Sequence, residues 1–487
     1  MSLILQTLLA VVLACLALAS LQLATLALIR IYFPSRPVRR PLIADANLPR
    51  VLVQLPVCDE GALALRVAAA ATRLDWPADR LEIQVLDDGP AEKHANLVAA
   101  IRELTPEGVD LKVLRRGVRE GYKAGNLAFG LRHCDAPYVA VFDADFVPPP
   151  DFLRRTVPVL VNDRGLAYVQ ARWGHANRAR NWLTRAQAFL LDAHFAVEQE
   201  ARFRAGLPFS FNGTAGVWSR AAIDNGGGWT GDTLTEDLDL SMRCALRGWR
   251  AAFVADLEVP SELPDNAAAW RAQQARWTKG HAQCARKLLP MIWASGFPLW
   301  KKLAVTLQIC QFAFYTLAGI SAAISLTLMA MGVEYLPSVA MLGMIVTVLG
   351  LCASLSYLAC GQSMLGRAEG GHFVPTLLLA IVFPSGLILS NARATYEAFS
   401  GVNIVFQRTQ RNGETYRGAW RGRPELAAGL MLPIFAFAEQ AWSAPFFVFA
   451  AAGLVSIGTM GLRGAMRLPA PQSGEYASAA EFTTAAE

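Results

Sequence analysis

The sequence predicts a Rossmann-like α/β domain in the cytoplasm, embedded in an α-helical, polytopic membrane protein. The 487-residue chain is 54% hydrophobic and only 17% charged, which is too apolar for an ordinary soluble protein. Residues 48–298 instead have the composition of a soluble domain in which short apolar strands alternate with helical stretches. Long apolar segments lie on both sides of that stretch, so membrane helices are expected to flank the domain.

The first apolar segment predicts a transmembrane helix over residues 1–33. No charged side chain occurs before Arg30, and the run is too long for the core of a signal peptide. Arg30, Arg36, Arg39 and Arg40 follow at once. The positive-inside rule therefore places the N-terminus outside and the α/β domain in the cytoplasm, as expected for an integral protein of the inner (plasma) membrane.

Residues 48–267 have the pattern of an open α/β sheet. Apolar runs that end in polar residues predict buried parallel strands, and such sheets bind ligands at the carboxyl ends of their strands. Asp59, Asp87 and Asp143 fall at or just after such ends. The predicted strands are 51–55, 81–86, 111–114 and 138–142, and the predicted helices include 61–74 and 94–104.

The apolar segments after Lys302 conflict with a simple count of crossings. They cover about 303–332, 336–360, 373–391, 425–442 and 443–462. Three crossings before residue 393 would place a loop with six arginines outside, against the positive-inside rule. We therefore predict that 373–391, which is short and interrupted at Pro384-Ser-Gly386, is interfacial or re-entrant.

These observations predict a division of the remaining chain into five parts. Basic residues and apolar positions mix along the stretch before the second apolar segment, as in amphipathic helices on a membrane surface. The parts are amphipathic interface helices (268–300), transmembrane or re-entrant segments (301–392), a cytoplasmic Arg-rich loop (393–424), a transmembrane hairpin (425–463) and a disordered tail (464–487).

The charge distribution excludes a nucleic-acid-binding protein, and the cysteine spacing excludes a zinc-site or CxxC protein. The net charge of +6 is concentrated beside the apolar segments, as expected for groups that face anionic lipid rather than nucleic acid. The eight cysteines are scattered, and no CxxC or zinc-like spacing occurs. We interpret them as reduced thiols in the cytosol or membrane.

Asp143-Ala-Asp145 predicts a divalent metal site after the strand 138–142. Two carboxylates at i and i+2 can turn toward one Mg²⁺ or Mn²⁺ ion and share it with a diphosphate. An isolated Asp-x-Asp is more often a solvated loop. Its position after a buried strand, together with the other motifs, favours the metal site.

Two neighbouring motifs could bind the base, ribose or phosphates of a nucleotide. Asp87, in Asp87-Asp88-Gly89, could accept hydrogen bonds from a base or ribose, although Gly89-Pro90 is also typical of a plain turn. Lys123, which precedes a predicted helix, could neutralise a phosphate, although the segment could equally be a capped helix start.

Two further motifs are suited to an acceptor pocket that contains a general base. They are Asn212-Gly213-Thr214 and Thr235-Glu236-Asp237. A hydroxyl that attacks a sugar carbon must lose its proton, and a carboxylate within hydrogen-bond reach can take it. Asp237 is our candidate base and Glu236 its competitor; alternatively, both carboxylates match the dipole of the helix that follows.

Gln273-x-x-Arg276-Trp277 lies on a predicted helix, where the three side chains share one face. Trp277 offers an apolar surface for a pyranose ring, and Arg276 can hold a phosphate. The alternative is a Trp/Arg anchor at the membrane interface.

The order of these motifs resembles that of processive family 2 glycosyltransferases, the group of cellulose synthases, hyaluronan synthases and plant glucomannan mannosyltransferases. The similarity covers about residues 50–295. It is greatest to the cellulose synthase-like glucomannan branch and its bacterial relatives. The flanking words that carry it are Leu74-Asp-Trp-Pro77, Leu81-Glu-Ile-Gln-Val-Leu-Asp87, Lys123-Ala-Gly-Asn126 and Val169-Gln170-Ala-Arg172-Trp173.

The resemblance implies a GT-A fold and an inverting, single-displacement transfer of a hexose from a UDP-glucose or GDP-mannose type of donor. It implies a divalent cation, Mg²⁺ or Mn²⁺, on Asp145 with Asp143 alongside. The remaining roles that it implies are nucleotide or donor contacts (Asp59, Glu60, Asp87, Lys123, Asp143, Arg276), a catalytic carboxylate (Asp237, with Glu236 beside it) and acceptor contacts (Trp277, Gln273, Asn212, Gly213, Thr214).

Phe406-Gln-Arg408-Thr409-Gln-Arg411 resembles the gating loop of cellulose synthases, which closes over the bound nucleotide. Thr409 and Arg411 are thereby implied in donor binding. The sequence departs from the family pattern in four places: Asp59 replaces a usual Asn, Gly89-Pro90 the Ser-Thr-Asp of plant glucomannan enzymes, Arg408 a small apolar residue and Arg411 a Lys.

Three functions are consistent with this sequence. The first is extension of a polysaccharide at the membrane, with export or assembly proteins as further partners and no nucleic acid. The second is a single transfer to a lipid such as ceramide or diacylglycerol, because single-transfer relatives can share the motifs. The third is a non-catalytic membrane subunit, which the intact set of acidic positions disfavours.

Overall fold

A seven-stranded sheet forms the centre of the soluble domain in the computed structural model, which describes residues 1–368, 370–401, 422–438 and 444–466. The strands are β1 (Val51–Val57), β2 (Leu81–Asp87), β3 (Asp110–Arg115), β4 (Tyr138–Val141), β5 (Leu166–His175), β6 (Gly216–Ser219) and β7 (Arg250–Ser261). Their order across the sheet is β3-β2-β1-β4-β6-β5-β7.

The sheet is mixed, with a parallel part that the sequence predicted and one antiparallel strand. Strands β3, β2, β1 and β4 pair with one another in parallel, and β5 is parallel to β7. Strand β6 runs antiparallel to both β4 and β5. Its sequence is Gly216-Val-Trp-Ser219, so it lacks the continuous apolar run that marks β4.

Helices cover both faces of the sheet and continue into the apolar part of the chain. One turn of π-helix, His194–Gln199, joins two of them. The described α-helices are α1 (Ser2–Tyr32), α2 (Ala62–Ala71), α3 (Ala91–Leu104), α4 (Tyr122–Leu131), α5 (Phe152–Asn162), α6 (Trp182–Ala193), α7 (Glu200–Ala205), α8 (Arg220–Asn225), α9 (Glu236–Leu246), α10 (Ala267–Ala294), α11 (Leu299–Ile309), α12 (Ala313–Ala330), α13 (Pro337–Met364), α14 (Phe373–Ser385), α15 (Ile388–Phe399), α16 (Arg423–Ala438) and α17 (Ala444–Met466).

The central strands are buried because helices pack on both sides of them. Strand β2 is buried at every position, and in β1 only Pro56 is partly accessible. Such strands need apolar side chains on both faces, which explains their continuous Val, Ile and Leu runs. Both β1 and β2 therefore deliver the residues at their carboxyl ends to one fixed edge of the sheet.

Three described stretches of helix are long and apolar enough to cross a membrane: Ser2–Tyr32, Leu299–Ala330 and Pro337–Met364. Helices α14 and α15 would add a fourth crossing if they form one span, but they meet at an angle of 44°. The break follows Pro384-Ser385, within the interruption noted in the sequence. Whether this pair crosses the bilayer or re-enters it stays a prediction.

Buried ion pairs join the apolar helices to the soluble domain. Asp192 at the end of α6 is buried, and its carboxylate accepts hydrogen bonds from Gln362 of α13 (3.1 Å) and Arg367 just beyond it (3.0 Å). Helix α10 pairs with α15 through Lys279–Glu397, at 3.2 Å. Removing one partner of such a pair would leave an uncompensated buried charge, so these contacts hold the two parts in one arrangement.

Helix α10 is one helix of 28 residues where the sequence predicted several interface helices. It packs against the start of α9 at Gly280, because a Cβ there would lie 2.5 Å from Thr235 Cγ2 and 3.0 Å from Thr235 N. Gln283 Oε1 accepts from the Leu234 N–H at 2.9 Å. The helix thus fixes the segment that leads into Glu236 and Asp237.

We predict that Gly280→Ala destabilises the protein. Alanine favours a helix over glycine by about 1 kcal/mol. The added methyl group meets both the side chain and the backbone N of the buried Thr235, however, and overpacking of this kind costs about 1–3 kcal/mol. The apparent midpoint of thermal unfolding of the purified chain should fall.

Gly296→Ala is the matched control, because a Cβ on Gly296 would meet no atom within 4 Å. Its midpoint should equal that of the unchanged chain. A midpoint for Gly280→Ala at or above that of Gly296→Ala would contradict the close packing of α10 on α9.

Candidate active site

Lys123 lies at the centre of the candidate site. Its ammonium is 2.6 Å from Asp143 Oδ1 and 3.7 Å from Glu236 Oε1, and it donates a hydrogen bond to the Gly213 carbonyl at 2.8 Å. Lys123 is in the first turn of α4, one residue after its start, rather than ahead of a helix as predicted. One side chain therefore connects three separate motifs.

Asp143 is positioned from two sides. It follows β4, and its N–H donates to Thr214 Oγ1 at 2.9 Å, which ties it to the segment 212–214. Asp145, two residues on, is 8% exposed, and its carbonyl accepts from Arg66 at 3.4 Å. Asp143 thus belongs to the Lys123 cluster and Asp145 lies two residues further along the chain; their predicted role as metal ligands stays a prediction.

Asp237 is in the first turn of α9 and reaches the same cluster. Its Oδ1 accepts from the Leu238 N–H at 2.8 Å. A Cβ on Gly213 would lie 3.1 Å from Asp237 Oδ2 and 3.4 Å from Lys123 Nζ. Gly213 has a φ of 81°, a conformation that favours glycine. Its lack of a side chain leaves space between Asp237 and Lys123.

Burial and the charges in this cluster raise the pKa of one carboxylate, that of Asp237. Burial and the neighbouring Glu236 carboxylate raise the pKa of Asp237 to about 7, against the lowering effect of the Lys123 ammonium. Burial by itself lowers the pKa of Lys123, but the carboxylates of Asp143 and Glu236 outweigh it and the net pKa is raised. Lys123 therefore remains charged, and Asp237 has an affinity for protons suited to a general base near neutral pH.

Asp87 is held by two residues that the sequence analysis did not single out. Its Oδ2 lies 2.7 Å from His94 Nδ1 and accepts from Arg115 at 3.1 Å. The parallel register of β2 and β3 places Arg115 directly beside Asp87. The basic residues at the end of β3 could have indicated the Arg115 contact from the sequence, because parallel strands end at the same edge of a sheet.

Asp88 has a separate and structural set of contacts. Arg116 donates two hydrogen bonds, of 2.7 and 2.6 Å, to the Asp88 carboxylate. The Arg116 guanidinium also donates to the Tyr122 carbonyl. Bidentate pairs of this kind fix geometry as well as charge. Asp88 therefore anchors the loop that leads into α4 and Lys123.

Asp59 and Glu60 line the same shallow cleft as Asp87, together with Gly89 and Lys93. Asp59 follows β1 with a φ of 61°, and its carboxylate pairs with Lys93 at 2.8 Å. The Cys58 N–H donates to Glu60 Oε2. This cleft lies at the carboxyl ends of β1 and β2, where the sequence predicted nucleotide binding.

Asn212 joins the cluster to the π-helical turn. Its Oδ1 lies 3.1 Å from His194 Nε2 and 3.2 Å from Gln199 Nε2, while its N–H donates to Gln170 Oε1 at 3.0 Å. No hydrogen-bond partner is found for the buried Asn212 Nδ2 in the described part of the chain. The sequence singled out Asn212 but offered no signal for His194.

Gln273, Arg276 and Trp277 lie on α10, within two turns before Gly280. Gln273 is buried and Trp277 is half-buried. The packing of Gly280 on Thr235 orients this part of α10 toward the start of α9. Their acceptor and phosphate roles stay predictions. The loop residues Phe406, Arg408, Thr409 and Arg411 lie outside the described residues.

The donor set suits a cation that arrives with a nucleotide. Among the residues that the structure describes, no group of three or more His, Cys, Asp or Glu side chains could hold a metal ion. Asp143 and Asp145 provide two carboxylates. Mg²⁺ in nucleotide-dependent enzymes usually takes one or two carboxylates and completes its shell with water and phosphate oxygens. The residues therefore fit a shared site and not a closed protein cage.

Known proteins with similar sequences carry the same kind of domain. Residues 138–359 match the family model described as glycosyl transferase family group 2. The probable glucomannan 4-beta-mannosyltransferase 11 of Arabidopsis thaliana is 44% identical over 268 residues, which make up 54% of this chain and 60% of the relative. The probable glucomannan 4-beta-mannosyltransferase 9 of Oryza sativa subsp. japonica is 41% identical over 318 residues, or 61% of this chain and 60% of the relative.

The chain thus spans 60% of the length of each of these two relatives. Among solved structures, the mannosyltransferase PcManGT from Pyrobaculum calidifontis, in complex with GDP-Man and Mn²⁺, is similar over 74% of this chain and 100% of its own. The TM-score is 0.53 at 21% sequence identity, so this likeness shows the fold alone.

The expectation of a GT-A fold is confirmed by this likeness and by the mixed sheet. The resemblance drawn from the order of the motifs is confirmed by the family match and by the plant relatives. Residues 138–359 therefore match glycosyl transferase family group 2 within a domain of GT-A fold, and the chain is related in sequence to the glucomannan 4-beta-mannosyltransferases.

Proposed function

We propose that this protein is a membrane-bound, inverting β-glycosyltransferase that moves a hexose from a nucleotide sugar to a growing polysaccharide. The observation that carries the proposal is the convergence of Lys123, Asp143 and Asp237 around Gly213. A cation, a metal-ligating carboxylate and a general base with a raised pKa are the parts that such a transfer needs. The apolar helices supply the membrane attachment.

The proposed donor is GDP-mannose, with UDP-glucose as the alternative. Support comes from the names of the plant relatives and from the GDP-Man of the PcManGT complex. The nucleotide would occupy the cleft at β1 and β2, with Asp59, Glu60 and Asp87 near the nucleoside and Lys93 at its edge. Its diphosphate would extend toward Lys123 and Asp143.

The proposed chemistry is a single displacement at C1 of the donor sugar. An acceptor hydroxyl attacks C1 as the bond to the diphosphate breaks, so the configuration inverts. Asp237 takes the proton that the hydroxyl loses, with Glu236 as the competitor for this role. The diphosphate leaves with its bonding electron pair, and Lys123 and Arg276 are suited to stabilise its charge.

The proposed acceptor site lies beside Asp237, on the side away from the donor diphosphate. Asn212, Gly213 and Thr214 would form its wall, and the absence of a side chain on Gly213 keeps the Asp237 carboxylate uncovered on that side. Trp277 would stack on the acceptor ring, and Gln273 would bond its hydroxyl groups. These two residues reach the site through the packing of α10 on Thr235.

Asp145, with Asp143 beside it, would hold Mg²⁺ or Mn²⁺ together with the donor. When bound, such a cation neutralises the diphosphate and so makes it a better leaving group. The buried position of Asp145 and the exposed edge of Asp143 match a site that the diphosphate completes.

The donor and the product length test the proposal together. Purified membranes that contain the chain should release GDP from GDP-mannose faster than they release UDP from UDP-glucose. Radiolabelled product should be a ladder or a high polymer on a gel. A single lipid-soluble product would replace the polymerase assignment with a glycolipid synthase, and no nucleotide release from any donor would indicate a non-catalytic subunit.

Asp237→Asn should reduce turnover by about 10²–10⁴-fold, the usual contribution of a general base, because the amide cannot accept the proton. Donor binding should persist. Glu236→Gln is the matched comparison, and its loss should be smaller. If Glu236→Gln abolishes turnover while Asp237→Asn retains it, the base is Glu236.

The pH profile of the unchanged enzyme checks the same assignment independently. Asp237 must be deprotonated to act as a base, and its pKa is raised to about 7. The free-enzyme kcat/KM should therefore fall as the pH decreases below about 7. The profile of Asp237→Asn should lack this limb.

Chelation should stop transfer, and Mg²⁺ or Mn²⁺ should restore it. Asp145→Asn should raise the metal concentration needed for half-maximal rate, because one charged ligand is lost. Asp79→Asn is the control, since the Asp79 side chain is exposed in the turn before β2, at the opposite end of that strand from the cluster. Full turnover in excess chelator would contradict the metal assignment.

A further inference from the structure

A second cavity lies behind the candidate active site, on the side where the chain enters the apolar helices. It has a volume of about 480 Å³, within the range of small-molecule sites. The segment after α1, the end of α7, the C-terminal half of α9, strands β5 and β7 and the start of α11 surround it. None of the predicted site residues lines this rear cavity.

The rear cavity has an excess of positive charge. Four cationic side chains line it, namely Arg36, Arg39, Arg250 and Lys301, and Asp163 is the one carboxylate among its lining residues. Asp163 is already paired with Arg250 at 2.7 Å. Arg36 donates from Nε to the Arg204 carbonyl, so its charge is not neutralised by that bond. The cavity therefore offers three positive charges to an anion.

The inner wall of the rear cavity is apolar. Tyr168, Phe209 and Ala252 form part of this wall and are almost fully buried. The Tyr168 hydroxyl is already used, since it donates to the Phe209 carbonyl. A ligand with an anionic group and an adjoining apolar part matches this combination better than a fully hydrated ion does.

Two of the cations stand where apolar helices meet the soluble domain. Arg36 lies four residues after the end of α1, and Lys301 is the third residue of α11, which opens the stretch Leu299–Ala330. Leu299 and Trp300 beside it are 63% and 56% exposed. Basic and Trp residues at the cytoplasmic ends of spans lie at the level of lipid head groups.

We propose that the rear cavity binds the phosphodiester head group of an anionic glycerophospholipid from the cytoplasmic leaflet. Arg39, Arg36 and Lys301 contact the phosphate, and the glycerol and first acyl carbons lie along the apolar wall. Free phosphate shares the anionic chemistry but lacks the apolar part. The proposal rests on the membrane placement of α1 and α11 and not on the identity of the donor or acceptor.

Helix α9 connects the rear cavity to the candidate base, Asp237. Ser241 and Cys244 of α9 line the rear cavity, and Asp237 is in the first turn of that helix. Ser241 Oγ donates to the Asp237 carbonyl at 2.6 Å and accepts from the Phe211 N–H at 2.8 Å. The head group thus contacts the back of the helix that carries Asp237.

Native mass spectrometry of the purified full-length chain tests this site without any assay of activity. The chain in detergent is titrated with phosphatidylglycerol, phosphatidylcholine or inorganic phosphate. One phosphatidylglycerol per chain is expected to bind more tightly than phosphatidylcholine. Lys301→Gln should weaken that binding about fivefold, the effect of one basic residue beside an anionic lipid, and Arg39→Gln should act similarly.

Lys302→Gln is the matched control. Lys302 is the next residue of α11, but it donates to the Trp293 carbonyl at 2.7 Å and does not line the cavity. Binding should be unchanged in this variant. Equal losses for Lys301→Gln and Lys302→Gln would indicate diffuse attraction and overturn the site, as would equal affinity for the two lipids. Phosphate binding as tight as that of phosphatidylglycerol would overturn the lipid as its source.

Discussion

The buried ammonium of Lys123 is the interaction on which the candidate site depends. It draws together Asp143 after β4, the Gly213 carbonyl and Glu236 at the start of α9. These carboxylates repel one another in a buried place unless a positive charge lies among them. The same arrangement leaves Asp237 with a raised pKa. One cation therefore assembles the cluster, and it limits the rise in the Asp237 pKa that burial and Glu236 cause.

The carboxyl edge of the sheet could be predicted from the sequence because continuous apolar runs mark β1, β2 and β4. The acidic residues at their ends then had to meet, and Asp87 and Asp143 do lie at that edge. The antiparallel β6 could not be predicted, since its two apolar residues lie between Gly216 and Ser219 and form no continuous apolar run. The partners of Asp87 and Asn212 were also missed. His94, Arg115 and His194 depend on register and helix packing, which no single motif encodes.

The connection between the apolar helices and the site runs through α10 in the described part of the chain. This helix packs on Thr235 through Gly280 and pairs with α15 through Lys279 and Glu397. It also carries Gln273, Arg276 and Trp277, the residues proposed to meet the acceptor. This helix therefore joins the apolar helices to the start of α9. Sequence could place the motif on a helix but could not show what that helix contacts.

Cryo-electron microscopy of the full-length chain with GDP-mannose and Mn²⁺ tests the central claim most directly. The account predicts cation density between the Asp145 carboxylate and the diphosphate, with the Lys123 ammonium turned toward the phosphate oxygens. It also predicts that Asp237 lies within hydrogen-bond reach of the space beside C1 of the sugar, at about 2.6–3.2 Å from an acceptor hydroxyl. A nucleotide bound away from Asp145, or a sugar carbon facing away from Asp237, would contradict it.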